Sequence, residues 1–279
     1  MIQDNFWGKT MKNNYFDLHV HSLYSFDYSP SLPNSLDAVC AHAYEAGLSG
    51  IAFTDHYCVN QVLEGRQPEV DFDVMYREIC RMQNKWKGKL KILRGIELGQ
   101  PEQAKEKALA CLRTYQPEFV IGSLHNNEKE DDFFYIDYET VTPNELIRLW
   151  DEYLEGTLKL LDFGHFHTLG HLGYPARYYS RHGFGHLCNY NEKKEVLGEI
   201  FKKMREMGVA LECNVSNLRL DPPGKTMFPL ELVDFYLDCG NRLVTVGSDA
   251  HVPSHTGSFV APVTDFLVEK GCSLLSDTF

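Results

Sequence analysis

Seven short apolar runs in this chain each end in, or just before, a histidine, an acid or a pair of them. Residues 15–20 run into His19 and His21, 49–54 into Asp55 and His56, and 91–95 into Glu97. Residues 119–123 run into His125, 168–170 into His171, 209–213 surround Glu212, and 243–247 lead to Asp249 and His251. Short apolar runs bounded by turn residues read as buried strands. The chemistry of an α/β barrel sits at the C-terminal ends of its strands. Metal-binding side chains at the same end of successive strands therefore describe a barrel with a polynuclear metal site at its mouth. One such residue carries little weight; the same position in every run carries much.

Between the runs lie helical patterns. Leu36, Val39, Cys40 and Ala43 share one face of a helix expected over 36–46, with Gly47 as its left-handed stop. Phe72, Met75, Ile79, Met82 and Trp86 do the same over 70–87. Further helices are expected over 102–115, over 143–161 opening on Pro143, over 192–207 and over 228–239. Strand alternating with helix is the pattern of a parallel sheet. The residues from 259 on are expected to add a last short strand and helix, and 29–33 to make a turn. Residues 1–14 read as a flexible N-terminal segment and 15–279 as a single barrel domain. Two connections are long for such a fold, 126–142 and 173–191. Both read as irregular loops that follow a proposed ligand, where substrate selection is expected.

Composition removes several classes. A net charge of −12 argues against a nucleic-acid binder or a membrane-surface protein, which would carry a basic face. No stretch is apolar enough for a signal peptide or a membrane span. Eight cysteines form no C-x-x-C pair, which fits a reduced cytoplasmic setting better than a disulfide framework.

Asp17-Leu18-His19-Val20-His21 is the densest local signal. Strict alternation in a strand would put residues 17, 19 and 21 on one face, with the two imidazoles about 6–7 Å apart at their Cα atoms. Asp17 is then expected to fix an imidazole tautomer rather than to bind metal. A carboxylate such as Glu97 can bridge two cations. Many imidazoles with few carboxylates favour Zn²⁺, Mn²⁺ or Fe²⁺ over Mg²⁺ or Ca²⁺.

The order Asp-x-His-x-His, Thr-Asp-His, Gly-x-Glu, Ser-Leu-His, Gly-His-x-Gly and Gly-Ser-Asp-Ala-His resembles the PHP (polymerase and histidinol phosphatase) superfamily, over roughly residues 15–255. Residues 169–178 and 211–220 are similar to its histidinol-phosphate phosphatase branch. The resemblance implies a distorted (β/α)₇ TIM-like barrel with three divalent metal ions. Carried over, one ion would take His19, His21, Glu97 and Asp249. A second would share Glu97 with His125 and His171. A third would take Asp27, His56 and His251. Arg177 and Arg219 would hold substrate phosphate, the latter after the pattern of Glu212, Asn214 and Ser216.

Such a centre suits a phosphate monoester, an anion that repels hydroxide. Clustered cations bind phosphoryl oxygens, acidify water and orient in-line attack, here expected from a hydroxide bridging two metals. Asp249 or a water would serve the leaving alkoxide, and the arginines would complement the remaining charge. The branch implies L-histidinol phosphate as substrate and histidine biosynthesis as setting. The acidic, aromatic segment 126–138, with Asp131, Asp132 and Asp137, is a candidate for receiving its cationic end. Beside a metal-dependent amidohydrolase on a similar barrel, whose usual lysine ligand ends no strand here, two other readings compete. One is a nucleotide or oligonucleotide phosphoesterase of the same superfamily. The other is a non-catalytic metal-binding barrel, which would be expected to lack a ligand. His165 and His167 read as structural, and His182 and His186 as outside the centre.

Overall fold

The computed structural model describes residues 14–28, 34–220 and 224–279. The expected turn at 29–33 and the N-terminal segment as far as residue 13 fall outside these residues. Each apolar run forms a parallel strand: β1 (Phe16–Val20), β2 (Gly50–Phe53), β4 (Lys91–Gly99), β5 (Phe119–Ser123), β6 (Thr168–Leu169), β7 (Ala210–Asn214) and β8 (Leu243–Gly247). Two short strands join them. β3 (His56–Cys58) continues β2 along the second half of β4, and β9 (Ser273–Leu274) pairs with the start of β8. All the pairings are parallel, in the order β1-β2-β4-β5-β6-β7-β8-β9. The curled sheet comes back on itself where Val20 bridges Ala250 just beyond β8, so β1 meets the end of β8. This is the α/β barrel that the strand rhythm implied, in the distorted TIM-like form that the family resemblance implied.

The helices follow the expected faces: α1 (Leu36–Glu45), α3 (Phe72–Lys85), α4 (Lys105–Tyr115), α5 (Pro143–Phe163), α7 (Lys194–Met207) and α8 (Val233–Asp238). Side chains that cap them are legible too, Ser35 accepting from Ala38 N and Thr142 from Glu145 N. Three elements differ from expectation. A short α2 (Val59–Leu63) follows β3 directly. The supposed loop 173–191 begins with a helix, α6 (Tyr174–Arg181), opened by Gly173 at φ 104° and Pro175 in its first turn. At the C-terminus the helix α9 (Val260–Glu269) precedes the strand β9, the reverse of the expected order. Glu97 lies within β4 rather than after it.

Period-two alternation sorts the strand side chains into two apolar sets. Phe16, Leu18, Ala52, Leu93, Phe119 and Ile121 fill the barrel's interior below the site, backed by Leu275 and Phe279. Their neighbours Ile51, Phe53, Ile92 and Val120 pack outward in the larger core shared with the helices. Above the interior plug the same inward positions are taken by His19, Glu97 and Glu212, each almost fully buried.

Candidate metal centre

Local backbone features aim the ligands. The pairing of β1 with β2 changes register between Asp17 and Val20. A bulge of this kind breaks alternation and re-aims a side chain. Leu18 therefore stays with the interior plug while His19 turns to the centre, and Asp17 leaves it. Asp17 instead accepts backbone N–H groups of Ser248 and Gly257, each at 2.8 Å. The expectation that Asp17 fixes an imidazole is thus corrected. Glu212 does so: its Oε1 lies 2.6 Å from His19 Nδ1, and its Oε2 accepts the backbone N–H of His171 at 2.5 Å. This leaves His19 Nε2 free to face the centre. In the sequence Glu212 stood out as an acid inside an apolar strand and as the start of the Glu212, Asn214 and Ser216 pattern, without this role. His171 and Asp249 themselves sit at φ 23° and 54°, unusual for residues with a side chain.

Glu97 is the hub. Its Oε1 lies 2.8 Å from His171 Nε2 and 3.0 Å from His125 Nε2. Its Oε2 lies 2.8 Å from His56 Nδ1, 3.2 Å from His19 Nε2 and 3.5 Å from His21 Nε2. Asp249 Oδ1 joins the second group at 3.3 Å from His21 Nε2. At the mouth, Asp27 Oδ2 lies 2.8 Å from His251 Nε2 and 3.6 Å from His56 Nε2. Every one of the nine expected ligands thus lies in one cluster. Burial grades outward, from Glu97 at 0% exposed to His251 at 35%.

The residues fit divalent ions on structural grounds. Ligand atoms of His19, His21 and Asp249 lie within 4.8 Å of one another, as do those of Glu97, His125 and His171, and those of His21, His56 and His251. His19 and His21 bring their Nε2 atoms to 3.1 Å, and His125 and His171 to 3.2 Å. The close approach of His56 Nδ1 to Glu97 Oε2 is not aligned as a hydrogen bond, and neither atom makes a hydrogen bond elsewhere. Electron-pair donors facing one another in a buried site are costly unless a cation or proton lies between them. The cluster is therefore able to hold more than one divalent ion.

Electrostatics tell the same story. Burial would raise Glu97 and Asp249, but the surrounding imidazoles hold both carboxyls well below the usual range. Burial would lower His125, yet Glu97 and Cys58 push it up to about 10. His21 is lowered to about 3 by burial and by the neighbouring His251 and His56. Cys58, which the sequence reading did not single out, lies with its Sγ 3.5 Å from His125 Nδ1. It stands two residues after His56 on β3, and that spacing was the available signal.

The two expected arginines differ. Arg177, on α6, lines the cavity of about 220 Å³ over the cluster, with Nη1 3.6 Å from Asp249 Oδ2. Arg219 donates to the carbonyls of Ser248 at 2.6 Å and Asp249 at 3.3 Å, bracing the turn that presents Asp249. Arg181, one turn beyond Arg177, also lines the cavity. His165, His167, His182 and His186 do not line it.

Known proteins resemble this chain over most of its length. A "Probable histidinol-phosphatase" of Clostridium acetobutylicum is 26% identical over 242 residues, covering 87% of this chain and 88% of that protein. The "Histidinol-phosphatase" of Lactococcus lactis subsp. lactis is 29% identical, covering 85% and 84%. The crystal structure of histidinol phosphate phosphatase from Lactococcus lactis subsp. lactis, complexed with zinc, L-histidinol and phosphate, superposes with a TM-score of 0.77. That likeness spans 94% of this chain and 95% of the other at 22% identity, and so speaks for the fold. The family model described as the PHP domain matches residues 17–216, and with most of the chain so matched, this protein belongs to the PHP domain family.

Proposed function

We propose that residues 15–279 act as one unit, a metal-dependent phosphomonoesterase that converts L-histidinol phosphate to L-histidinol and phosphate. The observation that carries this reading is Glu97, whose two oxygens face two separate groups of imidazoles under a cavity that Arg177 also lines. Three ions would take His19, His21, Glu97 and Asp249; Glu97, His125 and His171; and Asp27, His56 and His251, a reading supported by the close grouping of His19, His21 and Asp249 and of Glu97, His125 and His171. Divalent ions bound there would supply charge against phosphoryl oxygens and lower the pKa of a water. The chain's own residues do the rest. Arg177 offers a guanidinium to the phosphate beside Asp249. Arg219 holds the turn that carries Asp249 through the carbonyls of Ser248 and Asp249, and would serve the phosphate through that turn. Asp249 stands between the ion cluster and Arg177; held as a carboxylate, it would orient a water that supplies the proton to the leaving oxygen. The names of the similar proteins support the substrate.

The test is phosphate release from L-histidinol phosphate by Zn²⁺- or Mn²⁺-loaded protein, beside AMP, a 3′,5′-bisphosphonucleoside and a dinucleotide, with a chelated control. The expected outcome is metal-dependent turnover with histidinol phosphate preferred. Release from the nucleotides alone would favour the phosphoesterase reading, and no release from metal-loaded protein would favour a non-catalytic barrel.

A further inference from the structure

The cavity over the ion cluster has an outer end that its metal and phosphate chemistry does not use. Segment 126–142 contributes Asp132, Phe134 and Tyr135 to its wall, which they share with the ligands His56 and Glu97. The acids of this segment fall into two kinds. Glu130 pairs with Arg148 at 3.1 Å and Asp131 with Arg66 at 3.2 Å, both away from the cavity. Asp137 caps its own turn by accepting from Glu139 N at 3.1 Å. Asp132 alone among them reaches the cavity.

Asp132 is half-buried and has no ion-pair partner among the described residues. Its Oδ1 accepts only neutral donors, the backbone N–H of Phe134 at 2.8 Å and the hydroxyl of Tyr174 at 3.2 Å. Tyr174 in turn receives the hydroxyl of Tyr178 at 2.9 Å, so a two-step relay points at the carboxylate. The cations that line the cavity are Arg181, 5.6 Å from the centroid of the Tyr178 ring, and Arg177, 5.9 Å from it and facing Asp249, and neither forms an ion pair with Asp132. Around the carboxylate stands an aromatic rim. Phe134 and Tyr135 are 60% and 64% exposed, large apolar rings left open at the edge of a cavity. A half-buried carboxylate without a counter-ion, ringed by open aromatic faces, is the chemistry that recognises a flat or amine-bearing cation.

We propose that Asp132 and this aromatic rim form a cation subsite, so that the preferred monoester carries a positive charge on its leaving alcohol. The proposal rests on the reading of the inner end as the phosphate site, and it assigns selection to Asp132 rather than to Asp131 or Asp137. Asp132 is a specificity-determining residue here, remote from the bond that breaks. Losing one charge-assisted contact of this kind is worth about 10–100-fold in binding.

The experiment compares wild-type, Asp132→Asn and Asp132→Glu metal-loaded protein on L-histidinol phosphate and on p-nitrophenyl phosphate, whose leaving group has no cation. Inhibition of p-nitrophenyl phosphate turnover by histamine and by uncharged 2-phenylethanol is measured beside them. In Asp132→Asn the ratio of kcat/KM for the two substrates is expected to fall at least tenfold. The fall should appear in KM for histidinol phosphate and not in kcat, and Asp132→Glu should recover part of it. Histamine inhibition should weaken in Asp132→Asn while 2-phenylethanol does not discriminate. A ratio that stays constant, or a loss shared equally by both substrates, would overturn the subsite. A wild-type protein that hydrolyses p-nitrophenyl phosphate but not histidinol phosphate would overturn the proposed function instead. The histamine comparison would then still decide the subsite by itself.

Discussion

Five imidazoles stand within 2.8–3.5 Å of the two oxygens of Glu97, and their protonation cannot be independent. Glu97, Asp249, Asp27 and Glu212 together cannot balance a full set of imidazolium charges in so largely buried a site. The protons therefore distribute unevenly, with His125 held up to about 10 and His21 held down to about 3. A metal ligand must be neutral imidazole. With His125 raised above its unfolded value, it carries a proton at pH 7.5 in the metal-free protein and must lose it on loading. Metal affinity is thus expected to rise with pH through the neutral range and to fall as acid restores the protons. Calorimetry at pH 7.5 in two buffers of different ionisation enthalpy checks this. The observed binding enthalpies should differ by an amount that corresponds to released protons. Equal enthalpies in both buffers would mean that the imidazoles are already neutral.

At the scale of elements, the site depends on strands that hold one another's ligands. Glu212 on β7 reaches His19 on β1 and the backbone of His171 just past β6, so one carboxylate locks three strand ends. Gly247 at the end of β8 makes room for that contact. A Cβ there would come within 2.4 Å of both Glu212 Oε1 and His19 Cβ. Gly247→Ala should push Glu212 off His19, and Glu212→Gln should remove the charge that fixes the imidazole. Each is expected to weaken metal binding about 10–100-fold, the usual scale for such outer partners. Competition with a chromogenic chelator reads it, and wild-type affinity in both variants would sink the assignment. The sequence carried the strands and the ligands beside their ends because a strand and its terminal ligand are local, whereas Asp27, which ends no strand, came only with the family resemblance. It did not carry the bulge in β1, since a bulge is defined by the partner strand, and so Asp17 was given the role of Glu212. It did not carry α6 either. That helix is a single eight-residue element opened by Gly173 and Pro175, residues that read as loop, and its tyrosines find their burial against distant partners: α5, segment 126–142 and the imidazoles of His125 and His171.

Across the whole molecule, first and last strands must meet for the centre to exist. Closure is confined to one end. Beyond β8, Ala250 accepts from His21 N and Asp249 N donates to His19 O, both at 2.8 Å, while the start of β8 is paired with β9 instead. Asp17 adds its two backbone bonds across the same seam, and Phe279 closes the far end against Phe16 and Phe119. The seam lies where His19 and His21 face Asp249 and His251. Bound ions would therefore join residues some 230 positions apart, adding to a short hydrogen-bonded edge what no local element can supply. An ion held at 100–1,000 times its Kd stabilises the native state by about 2.7–4.1 kcal/mol. For a chain of this size that corresponds to a rise in Tm of roughly 5–15 °C per ion. Thermal unfolding with saturating Zn²⁺ or Mn²⁺ and then with excess chelator should show this gap. It should be reduced in His21→Ala, which loses one side of the seam, and kept in Arg148→Ala, whose surface pairs with Glu130, Glu145 and Glu152 lie far from it and contribute little. A chelator that leaves Tm unmoved would mean the seam holds without ions, and the cluster would then be a site that metal visits rather than one that completes the fold.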